Sequence, residues 1–125
     1  DYEALARRGL RQRLANVVDV DVVGEARNGR EALDLILKIK PDLVFLDIQM
    51  PGMDGFDVLR ALPERRLPAI VFVTAFDDYA IQAFEANALD YLLKPIEDSR
   101  VGDALERVRL HREQKRSVQH RISLL

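Results

Sequence analysis

Apolar and polar positions along this chain change period repeatedly, from the spacing of a helix to that of a buried strand and back. Leu5, Gly9, Leu10 and Leu14 fall on one side of a helical wheel, which predicts a helix over Leu5–Leu14. Asp21-Val22-Val23-Gly24-Glu25-Ala26 reads as a short strand. Asn28-Gly29 is a turn into a second helix, whose Ala32, Leu33, Ile36 and Leu37 form an apolar stripe that Pro41 terminates. Leu43–Leu46 is almost wholly apolar, as a strand buried on both faces requires. A loop follows, then a helix that turns Phe56, Leu59 and Leu62 inward. After Pro68, Ala69-Ile70-Val71-Phe72-Val73-Thr74 is the next buried strand. A helix is predicted around Asp78–Ala86, a short strand at Asp90–Leu93, and a last helix from Asp98-Ser99, both good N-caps. That helix carries Val101, Ala104, Leu105 and Val108 at helical spacing.

Four strands and five helices therefore alternate, the pattern of an α/β fold whose parallel sheet is covered on both faces. The series opens with a helix where a strand is expected, so a strand is missing at the front. Gln114–Ser123 is polar and reads as linker; no repeat or low-complexity segment interrupts the rest.

Composition narrows the class. A chain of 125 residues, 48% hydrophobic and 32% charged, has the size and balance of one soluble domain with a modest core. A formal charge of −2 disfavours a protein that coats nucleic acid. No apolar run approaches the ~20 residues of a membrane helix, and no secretory leader is visible. Zero cysteines exclude disulfides, thiolate metal sites and thiol catalysis, and agree with a cytoplasmic location.

The chemistry concentrates in Asp42-Leu43-Val44-Phe45-Leu46-Asp47-Ile48-Gln49-Met50-Pro51-Gly52-Met53-Asp54-Gly55. This apolar run delivers one carboxylate, Asp47, to the mouth of a Pro/Gly loop. A carboxylate is an able nucleophile when ionised, fixed and exposed, and the end of a rigid strand in an α/β sheet meets all three conditions. Gly52 and Gly55 allow the tight loop, and Met50 and Met53 read as packing residues. The basic tail, with Arg107, Arg109, Arg112, Lys115, Arg116 and Arg121, reads as a solvated helix end rather than a nucleic-acid surface. His111 and His120 are too isolated to argue for a metal site.

Leu46–Gly55, Val73-Thr74-Ala75 and Asp90-Tyr91-Leu92-Leu93-Lys94-Pro95, in this order and spacing, resemble the receiver domain of bacterial response regulators. Thr74–Ala80 with Ala83–Tyr91 is further similar to the LytTR-type subgroup, whose output domain binds DNA. The resemblance implies a flavodoxin-like doubly wound parallel sheet of order 2-1-3-4-5, with the first, central strand absent from this chain. Residues 1–113 would be the receiver and 114–125 the start of a linker to an output domain not in this chain. Asp47 would accept a phosphoryl group from a sensor histidine kinase, beside the Lys94 ammonium. Thr74 would hydrogen-bond the phosphoryl group, Ala75 would leave it room, and Tyr91 would turn inward as Thr74 moves. A cis bond is implied at Lys94-Pro95. Homodimerisation through the fourth helix, last strand and last helix would follow, with DNA contacted only through the output domain. No membrane contact and no turnover enzyme are implied, beyond slow loss of the protein's own phosphoryl group.

The family's magnesium ion would rest on Asp1, Asp47 and the backbone carbonyl of Gln49. Tyr2 stands where a second acid is expected, with Glu3 as a substitute if the backbone shifts, so weaker magnesium affinity is expected than in a receiver with both acids. Tyr2 also keeps open a pseudo-receiver, an interaction module that is never phosphorylated. A haloacid-dehalogenase-type hydrolase would need a second Asp two residues after the nucleophile, and position 49 is Gln. A sheet without its central strand leaves two rows of backbone groups unpaired, at several kcal/mol in total even at ~1 kcal/mol each. A strand preceding Asp1, or one borrowed from another chain, is therefore expected.

Overall fold

The computed structural model describes residues 2–63, 67–75 and 78–124, with side chains placed for 8–63, 67–75 and 78–113. In chain order the elements are α1 (Tyr2–Ala15), α2 (Gly29–Ile39), β1 (Leu43–Asp47), α3 (Gly55–Ala61), β2 (Ala69–Thr74), α4 (Ala80–Glu85), β3 (Asp90–Leu93) and α5 (Asp98–Leu124). The three strands form a parallel sheet in the order β1-β2-β3, with Leu43 opposite Ala69 and Val71 opposite Asp90.

Strand alternation in β2 sends its side chains into two cores. Val71 and Val73 pack with Leu14, Leu92, Ile96, Val101, Ala104, Leu105 and Val108, on the face covered by α5 and the end of α1. Ile70 and Phe72 point the other way, into Leu33, Ile36, Leu46, Ile48, Val58, Leu62 and Ala83 beneath α2, α3 and α4. Helices thus cover both faces, as the hydrophobic pattern requires.

The expected strand at Asp21–Ala26 does not form. Residues 20–26 run without regular structure, because a strand exists only by pairing with a neighbour. Between this segment and β1 lies a groove of about 670 Å³, walled by Leu10 and Leu14 of α1, Val22 and Val23, Ile36 and Ile39 of α2, and the β1 side chains. Among the described residues the outer edge of β1 is unpaired. The groove stands where the expected central strand would lie.

The segment outside the groove is held by ion pairs. Arg109 donates to both carboxylate oxygens of Asp19, at 2.9 and 2.7 Å. This bond holds the Asp19 carboxyl below its usual range and raises the Arg109 guanidinium. Arg11 pairs with Glu25. The other departures concern helix length. The last helix runs through the polar stretch at 114–123 that reads as linker, since neither Gly nor Pro follows Gly102 to stop it. The helix expected over Asp78–Ala86 is shorter, Ala80–Glu85, with no side-chain hydrogen bond at its Tyr79 N-cap.

Candidate functional site

The C-terminal ends of the three parallel strands bring Asp47, Thr74 and Lys94 to one edge of the sheet, where α/β domains place their ligands. Asp47 is the last residue of β1 and pairs in register with Val73, next to Thr74. Lys94 follows β3, and its backbone N–H donates to the Thr74 carbonyl at 2.8 Å, extending the sheet past its last formal rung. Its Nζ donates to Asp47 Oδ2 at 2.7 Å. The two side chains are 19% and 18% exposed, so the pair is sheltered yet open to an incoming group. The Lys94-Pro95 peptide is cis.

The loop after β1 fixes the other carboxylate oxygen. Gln49 N–H donates to Asp47 Oδ1 at 3.0 Å, closing a tight turn. Gly52 adopts φ +77°, which an L side chain tolerates poorly. Gly55 N–H donates to Ile48 O at 2.8 Å. A Cβ at Gly55 would lie 2.6 Å from the Asp47 carbonyl oxygen, so only glycine lets α3 start this close to the carboxylate-bearing strand. Asp54 and Asp57 complete the helix start as a reciprocal capping box, with Asp57 N–H on Asp54 Oδ1 at 2.8 Å and Asp54 N–H on Asp57 Oδ2 at 3.0 Å. The Asp54 backbone N–H, then the Arg60 guanidinium, holds the Asp57 carboxyl below its usual range. Both acids after the loop are thereby committed to α3.

Thr74 is fully buried at the end of β2, and Ala75, next to it, is exposed. Tyr91 pairs in register with Phe72 and packs half-buried against the core beneath α4. Met50 and Met53 pack against the same core. Asp1 lies outside the described residues, as do the side chains of Tyr2 and Glu3. Among the described residues no three His, Cys, Asp or Glu side chains cluster as a metal site. What the described residues offer a cation is the Asp47 carboxylate and the Gln49 carbonyl, joined in one turn. Both are hard oxygen donors, which suits magnesium with its retained waters.

One contact escapes sequence reasoning. Gln49 Nε2 donates to Tyr79 OH at 3.0 Å, across 30 positions of the chain. The sequence assigns Gln49 a backbone carbonyl for the cation and no second carboxylate, and no local spacing signals that its side chain reaches the start of α4.

The fold and site define a doubly covered α/β domain with a carboxylate–ammonium pair at the carboxyl ends of its strands. The chain belongs to the response regulator receiver domain family, which it matches over residues 1–106. It is 49% identical over 112 residues to the transcriptional regulatory protein BtsR of Salmonella typhi, covering 90% of this chain and 47% of that protein. It is 47% identical over 117 residues to an uncharacterized response regulatory protein of Vibrio cholerae, covering 94% and 48%. The chain thus spans about half the length of these relatives. Among solved structures it resembles the REC domain of AraT, a response regulator from Geobacillus stearothermophilus, at TM-score 0.81 and 35% identity, covering 93% of each chain. The response regulatory domain of mrkE from Klebsiella pneumoniae matches at TM-score 0.77 and 33% identity, covering 88% of this chain and 91% of that one.

Proposed function

We propose that this protein is a phosphoacceptor switch in which Asp47 takes a phosphoryl group from a sensor histidine kinase. The observation that carries the reading is the 2.7 Å pair of Lys94 and Asp47 at the strand ends. An Asp47 oxygen attacks phosphorus in line; the new O–P bond forms as the P–N bond to the donor imidazole breaks, and the imidazole leaves with the electron pair. Such a transition state needs positioning and charge neutralisation more than covalent help. Gln49 N–H and Lys94 orient the carboxylate, and the Lys94 ammonium then neutralises phosphoryl oxygens. Thr74 supplies a hydroxyl at the same edge, Ala75 leaves space, and Tyr91 responds to Thr74. Magnesium, when bound at Asp47, the Gln49 carbonyl and Asp1, supplies further charge neutralisation, with weak affinity because Tyr2 replaces an acid.

The surface read as the homodimer face supports the output half of this reading. Ile81 and Phe84 on α4, Leu93 on β3 and Leu110 on α5 are all exposed. At the start of β3 the Asp90 carboxylate is 4% exposed and accepts from Arg100 at 2.9 Å. Its Oδ2 is buried without a hydrogen-bond partner among the described residues. The motif Thr74–Tyr91 supports a LytTR-type protein, cytoplasmic, acting on DNA through an output domain.

Incubation with acetyl phosphate or beryllofluoride and magnesium is expected to give an adduct that mass spectrometry maps to Asp47. No adduct at saturating magnesium would overturn this reading in favour of the pseudo-receiver. The groove beside β1 is read as the seat of an extended apolar strand, from this protein or from a second copy. The β1 amides of the intact protein are then expected to exchange slowly with deuterated solvent; exchange at the rate of a free strand edge refutes an occupied groove.

A further inference from the structure

We propose that the Gln49 side chain is a strut that couples the acceptor turn to α4. The inference rests on the phosphoacceptor reading and assigns its site a route to the exposed face. Gln49 is bonded at both ends: its backbone N–H donates to Asp47 Oδ1 at 3.0 Å, and its amide donates to Tyr79 OH at 3.0 Å. Tyr79 is the N-cap of α4, and its carbonyl accepts from Ala83 N–H at 2.9 Å in the first turn. Its ring centroid lies 6.3 Å from Phe56, which rests 5.0 Å from Phe72 in the centre of the sheet.

The element at the far end of this strut is short. The α4 helix has six residues, no side-chain cap hydrogen bond, and Ala83 as its buried residue. So short a helix has little stability of its own, and its position follows the tertiary contacts it makes. Ile81 and Phe84, 75% and 82% exposed, ride on it. A group arriving at Asp47 competes for the Oδ1 bond that fixes the Gln49 backbone, and any rotation of this turn moves the amide that holds Tyr79. Occupancy of the carboxylate therefore biases where α4 sits and how it presents Ile81 and Phe84. Gln49 and Tyr79 act as positioning residues; neither reacts.

Tyr79→Phe removes the hydroxyl and keeps the ring against Phe56, and Gln49→Ala removes the other end. Hydrogen exchange of the α4 amides in the intact protein is the measurement. Each single variant is expected to exchange about two- to tenfold faster there, the range for one net hydrogen bond. The double variant should exchange no faster than either single one, because both remove the same bond. Beryllofluoride with magnesium should alter α4 exchange in the unsubstituted protein and alter it much less in Tyr79→Phe. Additive effects, or an α4 exchange rate unchanged by Tyr79→Phe, would overturn the strut. If no adduct forms on the unsubstituted protein, the phosphoacceptor reading fails, and the comparison without beryllofluoride still decides whether the strut holds α4.

Discussion

Asp47→Asn is expected to abolish phosphoryl capture while leaving a folded protein. The amide has no anionic oxygen to attack phosphorus, so acetyl phosphate and beryllofluoride should leave no adduct on the variant. The substituted side chain keeps an oxygen for the Gln49 N–H, so the turn after β1 retains its hydrogen bond. What is lost is the ion pair with Lys94. Both partners are nearly one-fifth exposed, so the loss lies between the ~0–1 kcal/mol of a surface pair and the ~3–5 kcal/mol of breaking a fully buried one. The two acids of the following loop and helix are poor substitutes. Asp54 accepts from the Asp57 N–H and Asp57 from the Asp54 N–H, with Arg60 on the same carboxylate. Mass spectrometry gives the adduct and a urea titration gives the stability. An adduct that persists on Asp54 or Asp57 in the variant would move the acceptor off Asp47.

The carboxylate was legible in the sequence because the information is local. An apolar strand, a carboxylate and a Pro/Gly loop lie within fourteen consecutive residues, Asp42 to Gly55, and the structure puts Asp47 at the strand end. Lys94 and Thr74 were reachable only through a family resemblance, since a lysine or threonine at a strand end has no periodicity of its own. Asp21–Ala26 shows the opposite failure. Its residues have strand propensity, but propensity describes fit to a pleated surface and supplies no partner. With the groove between it and β1, the segment stays irregular. The polar stretch of α5 at 114–123 reads as linker by composition, yet its Arg, Gln and Lys residues are strong helix formers. The Gln49–Tyr79 bond was invisible because it depends on how α4 docks, which no short window of sequence encodes.

Phe72→Ala is expected to lower stability by about 3–5 kcal/mol, the range for deleting a buried aromatic side chain. Phe72 is fully buried in the middle strand, its ring packed in the core beneath α2, α3 and α4. A domain of this size has ~5–15 kcal/mol in all, so the variant should unfold at markedly lower urea. Phe72→Leu keeps most of the volume and should lose less than about 1.5 kcal/mol, which separates a cavity from a general intolerance of change. The two variants also differ at the site. Phe72 supports Phe56 at 5.0 Å, and Phe56 supports the Tyr79 ring that receives the Gln49 amide. Loss of the Phe72 ring therefore removes the floor under the strut as well as core volume, and α4 amides should exchange faster than the global destabilisation alone requires. If Phe72→Ala costs under about 1 kcal/mol, well below the cavity range, the layer repacks around the gap, and the aromatic stack does not fix Tyr79.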